Sequence, residues 1–307
     1  MVIFFEWGRL GNQLFQYCAM RAFDPTGSIL AFGLDDLKHH FPSVALSPLS
    51  VSNRIGLFAR AAYHFIRLIS YLRLIGTVDE AHSVEGPRFV ATRGLLRRVH
   101  YFRGLYQTPW IATSIAVREL RLSDSLRKFA DKTLASLPGD AQDRYFVHVR
   151  RGDYIAWPTC DCPAVLPLEW YRLQMDRIRE RNPDAVFVVA SDDRPYVEEF
   201  LARHENVVLI RGTPQEDFAV MAACRGGGIL SASSYSWWAA YFAHCESDDA
   251  YFIAPRFWLG HRSGAWDPNG IETPWIHFVD VDHPDCCRSR KQPDTAARFQ
   301  TRPCARR

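Results

Sequence analysis

Two adjacent arginines are the strongest candidates for chemistry in this 307-residue chain. Arg150 and Arg151 follow the apolar, β-branched run at residues 145–149, which predicts a buried strand, and they precede a turn at Gly152 and Asp153. In an open α/β sheet such a turn lies at the carboxyl end of its strand, where ligands bind. A guanidinium group keeps its positive charge and binds phosphate in a bidentate manner, through two parallel hydrogen bonds. The stretch therefore predicts a site for a ligand with several negative oxygens, above all a diphosphate.

Other interpretations of this stretch stay open. An Arg–Asp ion pair can brace the turn without any ligand. The tripeptide Arg151-Gly152-Asp153 also matches an adhesion motif, although three residues match by chance often. His148 on the strand is either a buried histidine with a satisfied ring or a phosphate contact. Asp153 is either an orienting partner for Arg151 or a proton acceptor.

Two more predicted strand ends carry polar residues. Asp192 and Asp193 follow an apolar run, and Ser233 and Ser234 follow another and open a helix. The carboxylates can accept hydrogen bonds from ribose hydroxyls or from guanine, and serine hydroxyl and backbone N–H groups can donate to phosphate. Each pair could equally cap the helix after it. Because such strand ends share one sheet edge with the arginines, together they favour a nucleotide-diphosphate site.

The N-terminal stretch has a related pattern of strand, glycine turn and helix. Residues 2–5 predict a strand, residues 8–13 a turn with two glycines, and residues 14–20 a helix. Such a turn presents backbone N–H groups to an anion, although the third glycine of the dinucleotide fingerprint is absent. Gly11, Asn12 and Gln13 are therefore candidate ligand contacts, with capping of the helix as the alternative for Asn12.

The order of predicted elements indicates an α/β fold. From residue 145 onward strands and helices alternate and imply a doubly wound parallel sheet, with residues 251–254 as its last strand. Between residue 20 and residue 140 only helices at residues 54–76 and 115–137 are predicted with any detail. The cluster Pro138, Gly139 and Asp140 marks the best boundary. We predict domains at residues 1–139 and 140–285, followed by a basic, loosely attached tail at 286–307.

Composition and charge exclude several classes of protein. The chain is 48% hydrophobic, which excludes wholesale disorder, and a formal charge of +3 does not by itself imply nucleic acid. Residues 54–103 hold nine arginines against three acids, so the helix there either lies on an anionic membrane surface or packs on its own domain. The eight cysteines lack zinc-ligand spacing, and no metal site is expected. With no secretory signal and no uncharged 18-residue apolar segment, we expect a cytoplasmic protein.

Four stretches together identify a family. They resemble, in the same order, the motifs of the bacterial α-1,2-fucosyltransferases of glycosyltransferase family 11, and they lie at residues 8–17, 148–154, 191–193 and 231–238. The resemblance covers roughly residues 2 to 280. It implies a GT-B fold, with two Rossmann-like domains facing a cleft. The N-terminal domain is then the acceptor side and the second domain binds the GDP-sugar.

The resemblance also implies an activity. Such an enzyme moves L-fucose from GDP-β-L-fucose to O2 of a galactose-containing glycan and inverts the anomeric centre, with no metal and no cofactor beyond the donor substrate. In bacteria the acceptor is expected to be lipid-linked or a surface-polysaccharide repeat such as O-antigen. Two alternatives remain: transfer from another nucleotide sugar on the same fold, or a non-enzymatic glycan-binding or adhesion protein.

Site residues follow from the same resemblance. Arg150 or Arg151 would hold the β-phosphate, and Asp192 or Asp193 would contact guanine. The serine pair would bind phosphate, and Asn12, in the same motif as Gly11 and Gln13, would approach the β-phosphate or the fucose across the cleft. The proton acceptor for the reacting hydroxyl stays open among Asp153, Glu6 and His148.

Overall fold

The computed structural model describes residues 1–52, 56–81, 88–113, 115–159, 162–201 and 204–282. The predicted basic tail at 286–307 and Cys160 lie outside the described residues. Within them the chain builds two α/β sheets, one from each half.

The first half forms a five-stranded sheet in the order β2-β1-β5-β3-β4, which is parallel except for the antiparallel β4. Its strands are β1 (Val2–Phe5), β2 (Ile29–Phe32), β3 (Ile75–Ala81), β4 (Arg88–Ala91) and β5 (Leu96–Arg103). The helices of this half are α1 (Leu10–Phe23), α2 (Asp35–His40), α3 (Gly56–Tyr71), α4 (Ile115–Glu119) and α5 (Asp124–Ala135). The residue pattern predicted only β1 of these strands.

The second half forms a six-stranded parallel sheet in the order β10-β9-β6-β11-β12-β13. Its strands are β6 (Arg144–Val149), β9 (Val186–Ser191), β10 (Val207–Leu209), β11 (Gly227–Ile229), β12 (Tyr251–Pro255) and β13 (Ile276–Val279), and a separate hairpin pairs β7 (Pro158–Thr159) with β8 (Cys162–Pro163). The helices are α6 (Leu168–Arg181), α7 (Arg194–Leu201), α8 (Pro214–Ala222) and α9 (Ser234–His244). The predicted parallel sheet is confirmed, but residues 251–254 are not its last strand, because β13 follows.

Local chemistry explains where these elements begin. All six residues of β9 are buried, as expected for an apolar strand covered on both faces. Helix α8 begins after a capping box, in which the Glu216 backbone N–H donates to Oγ1 of Thr213 at 3.3 Å and the Thr213 N–H donates to the Glu216 carboxylate at 2.7 Å. Helix α1 begins at Leu10 after Arg9 as N-cap, so Asn12 is inside the first turn and the alternative that it caps the helix does not hold.

The two sheets are joined by direct packing between α1 and α9. The ring of Phe15 lies 4.8 Å from that of Trp237 and 5.0 Å from that of Trp238, and all three side chains are fully buried. Helix α5, which precedes the predicted boundary at residue 139, packs on α8 of the second half. A single apolar cluster therefore spans both halves, and the boundary itself stays a prediction.

Among the helices that the structure describes, none combines the length and the apolar content needed to cross a bilayer. The chain therefore presents no described helix that could act as a membrane span.

Candidate active site

Arg150 lies at the carboxyl end of β6 and is held by two carboxylates. Its Nη1 is 2.8 Å from Oδ2 of Asp192, and its Nη2 contacts Oδ1 of Asp153. The guanidinium carbon also stands over the ring of Tyr154, 5.4 Å from the centroid. The Arg150 side chain is only 14% exposed, whereas that of Asp153 is 55% exposed. Asp153 is thus the partner that can leave most easily when a ligand arrives.

Arg151 has a different environment beside the second aspartate. Its Nη1 is 2.5 Å from Oδ2 of Asp193, and its guanidinium carbon lies 4.0 Å from the ring centroid of Tyr196. Asp192 shapes the turn itself, because its Oδ1 accepts the backbone N–H of Arg151 at 2.8 Å. A cation that is both paired and stacked is firmly placed. The Arg–Asp brace considered from the sequence is therefore present, and it involves both arginines.

The same contacts bear on the adhesion tripeptide. The Arg151 side chain is paired with Asp193, the Gly152 backbone N–H donates to Asp192 at 3.3 Å, and the Asp153 carboxylate contacts Arg150. An adhesion motif needs these groups available on an exposed loop. Here each group is engaged in the turn, which disfavours the adhesion interpretation.

His148 is buried beneath the site. It is 5% exposed, and its Nδ1 lies 2.7 Å from Oγ of Ser231 in a hydrogen bond whose donor depends on the ring tautomer. Burial, with a smaller contribution from the nearby Arg150 charge, lowers the pKa of His148 to about 3. The ring is neutral at physiological pH and packs 5.1 Å from the ring of Tyr235. This geometry suits a positioning residue better than a group that contacts substrate.

The serine strand end meets α1 across the two halves of the chain. Ser233 is the N-cap of α9 and accepts the Tyr235 backbone N–H at 3.4 Å. The hydroxyl of Ser234 donates to Oδ1 of Asn12 at 2.6 Å, and Nε2 of Gln107 donates to the same oxygen at 2.7 Å. Gln107 was not predicted, because no pattern in the sequence separates it from an ordinary polar loop residue.

Gly11 permits the close approach of α1 to α9. A Cβ at this position would lie 2.5 Å from two backbone atoms, the Ser234 carbonyl carbon and the Tyr235 nitrogen. Gln13 lies on the same helix but is 1% exposed, and its Nε2 donates to the Gly8 carbonyl at 3.4 Å. Of the three candidates from this motif, Gly11 meets the second half of the chain through backbone packing, and Asn12 meets it through a side-chain hydrogen bond.

Tyr154 connects the arginine turn to the serine strand end. Its ring lies under Arg150, and its hydroxyl donates to the Ala232 carbonyl at 2.8 Å, one residue before Ser233. Burial raises the pKa of the Tyr154 hydroxyl, so the group stays protonated and keeps donating. A series of contacts thus runs from Arg150 through Tyr154 and the serines to Asn12. The sequence placed Tyr154 in a motif but gave no reason to expect this bridging role.

These contacts define an α/β protein with a polar site at a strand edge, next to the junction of its two sheets. Residues 83–258 match the profile described as Glycosyl transferase family 11. The match covers more than half of the chain, and the chain belongs to this family. The arginine, aspartate and serine pairs fall within the matched residues, whereas Asn12 falls outside them. The two α/β sheets agree with the GT-B architecture expected from the sequence.

Similar proteins carry fucosyltransferase and O-antigen names. The O-antigen biosynthesis glycosyltransferase WbnK of Escherichia coli is 32% identical over 118 residues, covering 37% of this chain and 38% of WbnK. Galactoside alpha-(1,2)-fucosyltransferase 1 of Saimiri sciureus is 30% identical over 257 residues, covering 77% of this chain and 63% of that protein. The chain therefore spans less than two thirds of the length of these relatives.

Solved structures show a partial likeness. Fucosyltransferase NodZ from Bradyrhizobium superposes with a TM-score of 0.47 and 11% identity, over 78% of this chain and 92% of NodZ. POFUT1 in complex with GDP gives a TM-score of 0.47 and 11% identity, over 81% of this chain and 96% of POFUT1.

Proposed function

We propose that the protein is an inverting α-1,2-fucosyltransferase that moves L-fucose from GDP-β-L-fucose to O2 of a galactose-containing glycan. The observation that carries the proposal is the setting of Arg150, nearly buried at the end of β6 and joined through Tyr154 to the serine strand end. Membership of family 11 and the names of its relatives support the sugar and the linkage.

The site explains how the leaving group would be stabilised. As the bond between fucose C1 and the β-phosphate oxygen breaks, GDP gains negative charge, and a fixed guanidinium group can receive it. Two arginines here face three aspartates, so the diphosphate must replace a carboxylate to reach a cation. We assign this exchange to Arg150, which gives up Asp153 and keeps Asp192. Because the arginines supply the positive charge, we propose that transfer needs no metal.

The same exchange provides a proton acceptor. Once the diphosphate occupies Arg150, the Asp153 carboxylate is free to take the proton of the acceptor hydroxyl as its oxygen bonds to C1. The other two candidates fit less well. The Glu6 carboxylate accepts the Leu34 backbone N–H at 2.5 Å, and His148 is buried against Ser231. We therefore propose Asp153 as the base and His148 as a positioning residue.

The remaining site residues receive roles from their contacts. Asp192 uses one oxygen for the turn and the other for Arg150, so we assign it to positioning and leave Asp193, beside Arg151, to contact guanine. Ser233 and Ser234 begin α9, where backbone N–H groups and hydroxyls suit phosphate. Asn12 would approach the sugar or the β-phosphate from α1, with Gln107 holding its amide.

The acceptor and the location are further proposals. We propose a surface-polysaccharide repeat, of the O-antigen type named for WbnK, carried on a lipid. For the location we propose the cytoplasm, where thiols stay reduced; Cys18, Cys224 and Cys245 are free thiols, as is usual for proteins of such a compartment. Immunodetection of the protein in fractionated bacterial cells tests this location, and recovery in the periplasm would contradict it.

The function is tested by incubating the protein with GDP-fucose, GDP-mannose or UDP-galactose and a panel of β-galactosides, with EDTA present. We expect transfer from GDP-fucose alone, with the new α linkage at galactose O2 by NMR. Transfer from another donor would support the alternative enzyme on the same fold. Absence of both transfer and hydrolysis, together with no thermal stabilisation by GDP, would overturn the proposed function.

A further inference from the structure

Helix α3 has two apolar faces, of which its own domain covers one. The covered face holds Ala62, Tyr63 and Ile66, which pack with residues of β1, β2 and β5 in one apolar cluster. This packing confirms that α3 is a helix of its own domain. A helix that lies on a globular domain normally turns polar residues outward. The outward side of α3 instead carries large apolar residues, so it needs a separate explanation.

The outward side of α3 continues into the start of β5. On the helix its residues recur at spacings that place them on one side. Beyond the helix end the surface continues onto the residues just before and at the start of β5, because the Leu95 N–H donates to the Arg73 carbonyl at 2.8 Å. We call this surface the α3 face and define it by Leu57, Phe58, Phe65, Leu68, Tyr71, Leu72, Leu95 and Leu96. Leu57 and Tyr71 are 85% and 84% exposed. Of the sixteen large apolar side chains exposed in the described part of the chain, half belong to this face.

The charges around the α3 face have one sign. The exposed arginines near it in the chain are Arg60, Arg67, Arg73, Arg93, Arg97 and Arg98. Across the described ranges, none of these six forms an ion pair with a carboxylate. The two described acids of the segment are used elsewhere, since Asp79 pairs with Arg103 at 2.6 Å and Glu80 accepts the Tyr106 backbone N–H at 2.9 Å. The face therefore joins exposed apolar groups to unneutralised positive charge.

We propose that the α3 face binds the surface of an anionic lipid bilayer. Apolar side chains of an interfacial helix enter the headgroup boundary while neighbouring arginines contact anionic headgroups. A second copy of this chain fits poorly, because a symmetric pairing would bring the same arginines together with no acid to neutralise them. An anionic bilayer is the partner that matches both properties of the surface, its exposed apolar area and its positive charge.

The orientation of α3 gives the contact a consequence for the reaction. Phe58 near the helix start lies 6.5 Å from Phe32, the last residue of β2, and Tyr63 lies 5.3 Å from Phe5, the last residue of β1. The beginning of α3 is therefore at the strand edge from which the chain passes into α1 and Asn12. A bilayer on the α3 face would bring that edge close to lipid-carried acceptors. This consequence rests on the proposed function, whereas the binding of the α3 face to lipid does not depend on it.

Vesicle flotation tests the binding without donor or acceptor. We expect the full chain to float with vesicles of phosphatidylcholine and phosphatidylglycerol at low salt, and not with phosphatidylcholine alone. Reversing Arg60 and Arg67 to Glu should lower partitioning at least about 30-fold, since each basic residue near such a surface contributes roughly fivefold. The double variant Phe65→Ser with Leu68→Ser should lower it at least about tenfold.

Matched variants on other helices separate binding by the α3 face from nonspecific adsorption to vesicles. Leu173→Ser, at an exposed leucine of α6, and Lys128→Glu with Lys132→Glu, on α5, should float as the unmodified protein does. Thermal melting of every variant checks that the fold is kept. Failure to float with anionic vesicles overturns the proposal, as does equal loss in the matched variants. A concentration-dependent dimer that the Phe65→Ser, Leu68→Ser variant abolishes would also overturn it in favour of a second copy.

Discussion

Replacing Gly11 with alanine tests the junction between α1 and α9. The added methyl carbon would lie 2.5 Å from the Ser234 carbonyl carbon and the Tyr235 nitrogen, whereas carbon atoms in good contact are about 3.5–4.0 Å apart. Both obstructing atoms belong to the backbone and cannot rotate away. The helices must therefore separate by roughly 1 Å, which takes the 2.6 Å hydrogen bond between Ser234 and Asn12 beyond normal reach.

The expected cost follows from that separation. Overpacking a close contact typically costs about 1–3 kcal/mol, and each lost hydrogen bond adds about 0.5–1.5 kcal/mol. Helix propensity returns up to about 1 kcal/mol, because alanine favours a helix over glycine. We expect a net loss of about 1–3 kcal/mol in the free energy of unfolding, or roughly 2–12 °C in Tm. GDP affinity should also fall, because Asn12 moves away from the serine strand end.

Thermal melting with and without GDP measures both effects. Gly56→Ala is the matched control, since a Cβ on this first residue of α3 meets no atom within 4 Å. Its Tm should stay unchanged or rise slightly, and its GDP response should equal that of the unmodified protein. A Gly11→Ala protein that melts and binds GDP like the unmodified one would refute the packing of the two sheets through α1 and α9.

Three further substitutions probe the site. Asp153→Asn frees Arg150 for phosphate and removes the proposed base, so calorimetry should show GDP bound at least as tightly while kcat falls at least about 100-fold; equal kcat would contradict the assignment. Tyr154→Phe leaves the Ala232 carbonyl without its donor, and urea titration should show about 1–3 kcal/mol less stability, with no change counting against the bridge. The folded-state pKa of His148 is about 3, below the unfolded value near 6.5. Its contribution to the free energy of unfolding is therefore present above pH 6.5 and is lost as the pH falls below that value, and the loss amounts to about 2 kcal/mol at pH 5. His148→Gln should lack this acid sensitivity between pH 8 and pH 5 in urea titrations, and an identical pH profile would contradict burial of a neutral ring.

Much of the second sheet could be predicted because its strands are short apolar runs. Residues 186–191 are buried on both faces, and their composition alone indicates a strand. Most strands of the first sheet could not be predicted, because they are not continuous apolar runs. Strand β5 opens with exposed Leu96, Arg97 and Arg98, a pattern that carries no apolar alternation and is fixed only by pairing with β1 and β3. Strand β13 was missed because its second residue, His277, is exposed and interrupts the apolar run.

The site was predictable as a set of strand ends but not as a set of contacts. The expectation that arginines, aspartates and serines gather at one edge follows from the geometry of parallel strands. Which carboxylate pairs with which arginine depends on side-chain rotamers, and the sequence could not distinguish Asp192 from Asp193. The contact of Asn12 with Ser234 joins residues 222 positions apart, and it depends on how the two halves pack.

The central claim is that Arg150 stabilises the departing diphosphate of GDP-fucose. The most direct measurement is the initial rate of fucose transfer to a β-galactoside by the unmodified protein, by Arg150→Ala and by Arg118→Ala, an exposed arginine on α4 that serves as the matched control. We predict a loss of about 100- to 1,000-fold for Arg150→Ala, the usual cost of removing one donor to a developing charge, and no loss for Arg118→Ala. A rate for Arg150→Ala within about threefold of the unmodified protein would contradict the account.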